Sequence, residues 1–138
     1  MKALTLTQPW ATLVSVGAKQ IETRSWSTNY RGRIAIHAAK GFPRNAQNLC
    51  LMRPFSDALY TLGDLPRGAI IATAELWDIK HILRELPGFC GEQCLPPPEP
   101  ERSFGDYAQG RYAWYLRDVK AIEPIPVKGA LGLWEWKV

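Results

Sequence analysis

Apolar and polar residues alternate along this chain in two rhythms, one near two residues and one near 3.6, and the switches between them mark out the elements. Residues 1–6 alternate, with Ala3, Thr5 and Thr7 on one side and Leu4 and Leu6 on the other, which predicts a strand. Trp10, Ala11, Leu13 and Val14 then recur at helical spacing and predict a short helix over residues 8–16. Thr7 is placed as its N-cap, Pro9 falls in the first turn, and Gly17 sits just past the end. Residues 20–26 return to strand alternation. Residues 34–39, bounded by Gly32 and Gly41, predict a third strand, with Ile34, Ile36 and Ala38 toward the core and Ala35, His37 and Ala39 on the opposite face.

Residues 43–62 carry the strongest helical pattern, with Pro43 at its start, Gly63 at its end and Pro54 dividing it. Residues 69–82 form a strongly apolar strand with Glu75 at its middle. Residues 84–110 are rich in glycine and proline and predict an irregular loop, long enough to be functional or mobile. An aromatic strand over 111–119, an extended connector over 123–127, a tight turn over 128–132 and a closing strand over 133–138 complete the chain. Five or six short strands with short helices predict a mixed α+β fold. The expectation is a small, partly closed β-barrel with helices at its rim, forming one domain over residues 1–138.

Composition changes this picture little. At 138 residues the chain has room for a core, and 46% hydrophobic with 22% charged residues is ordinary for a globular protein. The net charge of +4 permits contact with phosphate without demanding it. No apolar run reaches the roughly 18 residues of a membrane helix. The first residues are too soon interrupted by Gln8-Pro9 for a signal peptide, so a cytoplasmic location without membrane contact is the expectation. Three cysteines, an odd count, argue against a disulfide framework. Cys90 and Cys94 lack two further ligands at metal-site spacing, so neither a metal nor another cofactor is expected. Six tryptophans are many for this length, and each indole N–H seeks an acceptor.

The candidate chemistry is concentrated after Gly17. Lys19 falls at the turn, and Glu22, Arg24 and Trp26 fall on one face of the following strand. Lys19 and Arg24 are suited to phosphate, Glu22 to an amine edge of a base, and Trp26 and Trp10 to stacking. His37, Lys40, Glu75 and Lys128 are further candidates. Glu75 would need a cation if buried, with Lys19 or Arg24 as partners. Each has a competing structural reading: a surface ion-pair ladder, core packing for Trp10, a satisfied carbonyl for His37, a solvated lysine for Lys128.

Several runs together resemble the ASCH domain family. Gly17, Lys19, Glu22 and Arg24 match its G-x-K-x-x-E-x-R signature, preceded by Leu6-Thr7-Gln8-Pro9-Trp10-Ala11 and followed by Ser25-Trp26. Further matches are Arg31-Gly32 before Ile36-His37-Ala38, Gly68 before the long strand, Gly110-x-Tyr112-Ala113-Trp114, and Pro126-Val127-Lys128-Gly129 before Gly132-Leu133-Trp134. The resemblance implies a β-barrel similar to the RNA-binding PUA domain, with a cleft beside the signature helix and strand for RNA or a nucleotide-like ligand. Some short bacterial members hydrolyse acetylated cytidine with a lysine and a threonine in a G-x-K-x-x-T arrangement. Glu22 stands here where that threonine would be. Another short member is linked to RNA cleavage.

The function expected is therefore an RNA- or nucleotide-binding module with a basic, tryptophan-walled cleft that reads an unpaired base and its phosphate. The alternative is an enzyme, a nucleoside amidohydrolase or a ribonuclease, using Lys19 and Glu22. A protein partner at the proline-rich loop 95–100 is a third expectation.

Overall fold

A computed structural model describes residues 1–83 and 96–138. Its six strands are β1 (Lys2–Leu6), β2 (Ile21–Arg24), β3 (Gly32–Ala38), β4 (Ala69–His81), β5 (Tyr112–Pro126) and β6 (Leu133–Glu135). They form one sheet in the order β2-β5-β4-β3-β1-β6. β1 runs parallel to β3, and every other pairing is antiparallel. Three short helices, α1 (Trp10–Ser15), α2 (Arg44–Leu49) and α3 (Phe55–Leu59), and a 3-10 turn over Glu101–Phe104 flank the sheet. This is the expected mixed α+β half-barrel with helices at its rim. Among the described residues, no helix is long and apolar enough to cross a membrane.

The long strands supply the curl. β4 and β5 change register between Ile70 and Ala72, between Thr73 and Glu75, and between Leu76 and Asp78. Each such irregularity bends a strand and increases its twist. The main core lies on the concave side, where Leu4, Leu6, Ile34, Ile36, Leu76 and Trp114 pack with Ala11 and Val14 of α1. β3 is covered on both faces: Ile34, Ile36 and Ala38 join this core, and Ala35 and His37 are also buried.

Two elements differ from the sequence pattern. The separate strand and connector expected over 111–127 are one strand, β5, whose C-terminal part pairs only with β4. β2 covers its other edge only at Tyr112–Tyr115, so Pro124 and Pro126 sit where a missing N–H breaks no ladder on that side. The N-cap of α1 is the other correction. Thr7 makes no side-chain cap. Pro9 occupies the position, and the buried Gln8 reaches over it. Gln8 Oε1 accepts from the Thr12 amide at 3.0 Å, while Gln8 Nε2 donates to Thr12 Oγ1 at 2.8 Å and to the Pro66 carbonyl at 2.7 Å. One amide side chain thus satisfies an orphan donor of the helix and ties it to the segment before β4.

The candidate ligand cleft

Gly17, at φ +82°, ends α1, and the chain turns directly into β2. That turn carries Lys19 inward until it is fully buried. Its ammonium donates to the Ile21 carbonyl and lies 3.4 Å from Glu22 Oε1. Two residues along the same strand face, Arg24 Nε lies 3.3 Å from Glu22 Oε2, and Arg24 Nη2 donates to the Thr5 carbonyl at 2.6 Å. Glu22 therefore has a cation beside each oxygen, and Arg24 joins β2 to the end of β1. Buried charges survive only when paired in this way.

Glu22 and Arg24 line a cleft of about 330 Å³, together with Thr5, Thr7, Trp10, Phe55 and Ser103 to Asp106. Trp10 meets Phe55 edge-on at 6.3 Å, and Phe55 meets Phe104 at 5.0 Å. The segment after the 3-10 turn is held against β2. Thr23 Oγ1 accepts from the Asp106 amide at 2.9 Å, and Arg111 donates to the Thr23 carbonyl at 3.2 Å. At Gly105 a Cβ would stand 2.8 Å from the Tyr107 ring and 3.2 Å from Thr23 Cγ2, so only glycine fits. Glu101 accepts from the Gln20 amide at 2.7 Å and fastens the 3-10 turn to the start of β2. Burial pushes the Glu101 carboxyl above its ordinary value, against those backbone donors and Lys19. Burial, with Glu101 nearby, also pushes the Tyr107 phenol up.

Of the residues singled out from sequence, Trp10, Glu22 and Arg24 line this cleft, with Lys19 directly behind them. The others lie elsewhere. Trp26 follows the end of β2, where strand alternation has stopped, and packs edge-on against Trp114 at 4.8 Å. Its carbonyl accepts the Trp114 indole N–H at 3.2 Å, so it belongs to the core rather than to the cleft wall. Glu75 pairs with neither Lys19 nor Arg24. β4 and β5 set it opposite Arg117, whose Nε and Nη2 donate to it at 3.1 and 3.2 Å and hold its carboxyl below the ordinary range. His37, Lys40 and Lys128 line a different cavity beyond Thr5. Lys19, at 0% exposure, has no surface with which to meet a phosphate.

The sequence pattern did not reveal Thr5, Phe55, Phe104, Asp106 or Glu101. Only the glycine- and proline-rich character of residues 84–110 pointed toward the last three. Cys90 and Cys94, and Leu95 of the proline-rich loop, lie outside the described residues.

The ASCH domain family model matches residues 4–126, most of the chain and all of the cleft. The chain belongs to the ASCH domain family. ASCH domains have a PUA-like fold generally associated with RNA binding. Activating signal cointegrator 1 of Homo sapiens is 27% identical over 147 residues, an alignment that covers 96% of this chain and 22% of that protein. The Mus musculus protein of the same name is 27% identical over 145 residues, with the same coverage. The ASCH chain thus spans 22% of the length of these curated relatives. A crystal structure of ASCH from Zymomonas mobilis is 20% identical, with a TM-score of 0.49, covering 91% of this chain and 72% of that one.

Proposed function

We propose that this ASCH domain binds RNA, or a nucleotide-like ligand, by taking one unpaired base into the cleft beside Trp10. The observation that carries this reading is the placement of Glu22. Its carboxylate lines the same cleft as the rings of Trp10 and Phe55 and is braced by Lys19 and Arg24. A carboxylate offers acceptors only. It suits the amine edge of cytosine, adenine or guanine and repels the carbonyl that uracil presents. Stacking on an aromatic ring contributes about 1–3 kcal/mol per base. The partly exposed Arg24 guanidinium is the group at the cleft suited to the attached phosphate. Edge reading and stacking both need a base out of its duplex, so the substrate class is single-stranded or unpaired RNA.

One observation favours a second reading. A lysine ammonium 3.4 Å from a carboxylate inside a cleft is also the beginning of acid–base machinery. On that reading Glu22 meets the substrate, an acetylated cytidine-like amide or a phosphodiester, and Lys19 positions it from behind.

A nucleoside panel screened by thermal shift, with analysis of RNA that co-purifies, tests the proposal. Cytidine or adenosine at a hundred times its Kd should add about 2.7 kcal/mol of stability, and uridine should add less. Hydrolysis of acetylated cytidine, or cleavage of labelled RNA, in the same samples would favour the enzyme.

A further inference from the structure

Thr5 is a wall of two cavities. The second is a cavity of about 1070 Å³, lined by three separate segments besides β1 and β3. The segment after β3 contributes Lys40, the segment before β4 contributes Arg67, and the turn between β5 and β6 contributes Lys128 and Leu131. Among the described residues its charges have one sign: these three cations line it, and no carboxylate does. All three are exposed, and among the described residues none has a carboxylate within ion-pair distance. Like charges gathered around one hollow repel one another and raise a positive potential within it.

The floor is built and closed. Trp134 Nε1–H donates to Thr5 Oγ1 at 3.0 Å, and Thr5 Oγ1 lies 3.1 Å from His37 Nδ1. The other ring nitrogen, Nε2, lies 2.7 Å from the Val127 carbonyl. A carbonyl can only accept, so Nε2 carries a proton, and both ring nitrogens have a partner. Gly129 presses onto this floor so closely that a Cβ would stand 2.6 Å from His37 Cε1. The polar floor atoms are spent internally, and the turn bearing Lys128 is held at a fixed depth. What the cavity offers a ligand is three cations and apolar surface, including Leu131 at 97% exposure.

We infer that this cavity is a second subsite, which takes the phosphodiester backbone of the same RNA strand whose base enters the cleft. The inference rests on the cleft being the base site. Thr5, shared by both, makes the two hollows neighbours. Cations spread over three separate segments suit a chain of phosphates better than a single anion. A strand also alternates charge with apolar base surface, as this lining does.

The test compares cytidine with an eight-nucleotide cytidine oligomer on three proteins: the wild type, Lys40→Ala/Lys128→Ala, and Lys120→Ala/Lys137→Ala as a charge-matched control. Each phosphate contact adds roughly 0.7 to the salt slope for single strands. The groove variant should therefore lose about 1.4 of the oligomer's slope, keep the wild-type affinity for cytidine, and stay folded. The control should lose neither. An oligomer that binds the groove variant with an unchanged slope overturns the inference and leaves the cleft untouched. A slope that falls equally in the control also overturns it, because the effect would then be one of general charge. A slope that falls only in the groove variant, with no cytidine bound by any protein, keeps the phosphate subsite and overturns the cleft. A folded wild type that binds neither probe overturns both.

Discussion

Lys19 Nζ lies 3.4 Å from Glu22 Oε1, with the lysine wholly buried and the carboxylate at the cleft wall. The lysine is therefore a support for the glutamate. Breaking a buried pair costs about 3–5 kcal/mol when the remaining charge is left with no partner. Lys19→Met leaves Glu22 with Arg24 still beside it, so it should lose stability in urea unfolding by less than that. Adding Glu22→Gln to it should recover part of the loss, because the carboxylate that lost its lysine is then neutral and the Arg24 charge that remains is partly exposed. Equal stability of the single and double variants would show that the pair is not coupled.

Trp10 and Trp26 should behave differently. Trp10→Ala should weaken nucleoside binding by about 1–3 kcal/mol, with the quenching of tryptophan fluorescence by ligand reduced to match. Trp26→Ala should instead destabilise the fold. Its loss should exceed the roughly 1 kcal/mol of an edge-to-face pair but fall short of the about 3–5 kcal/mol of a fully buried tryptophan. Cytidine affinity of the folded Trp26 variant should match wild type. The opposite pattern, Trp26 needed for binding and Trp10 for stability alone, would exchange their roles.

Gly129→Ala tests the floor of the second cavity. The new methyl would stand 2.6 Å from His37 Cε1 and 2.8 Å from Thr5 Oγ1. Both are held by hydrogen bonds on their far sides and have little room to give. Overpacking of this kind costs about 1–3 kcal/mol. The midpoint of urea unfolding should fall accordingly, and the indole signal of Trp134, edge-on to His37 at 5.5 Å, should shift. A wild-type midpoint would mean that the turn simply lifts away.

Glu101 gives the fold a pH dependence of defined sign. Burial raises its carboxyl above the ordinary value, so the folded chain holds a proton that the unfolded chain releases. That contribution is fully present below the unfolded value and is lost as pH rises through the folded one. Glu101→Gln carries no charge to desolvate. Its stability relative to wild type should therefore improve as pH rises through the ordinary carboxylate range and above it. Parallel pH profiles for the two proteins would show that Glu101 is fully solvated.

The strand alternation that placed Glu22 and Arg24 on one face was legible because it needs only two neighbouring positions on β2. The same rule overreached at Trp26, because β2 ends at Arg24 and nothing in the local pattern announces that end. Gln8 as the cap of α1 was hidden for a different reason. A glutamine that reaches over a proline leaves no spacing signature, whereas Thr7 matches a familiar one. β5 ran on through Pro124 and Pro126 because β2 leaves that part of its edge unpaired, a fact of sheet order and not of sequence. Phe104 and Asp106 come to the cleft from an irregular segment that Glu101 fastens to the start of β2, 81 residues from its partner Gln20. Periodicity carries no information across such a gap. Glu75 was read as needing a cation, which it has, but its partner was set by the register of β4 against β5.

On the proposed function, Glu22 reads the amine edge of an unpaired base. The most direct measurement is the affinity of cytidine, adenosine, guanosine and uridine for the wild type and for Glu22→Gln, followed by tryptophan fluorescence. The carboxylate offers only acceptors, whereas the amide offers a donor as well. Wild type should prefer the amine-bearing nucleosides to uridine. Glu22→Gln leaves the buried Lys19 without its carboxylate and should lose stability, so binding is read on the folded fraction, where uridine should bind nearly as well as cytidine. A wild type that binds all four equally, with the same affinities in the variant, would contradict the assignment of Glu22 and of the cleft with it.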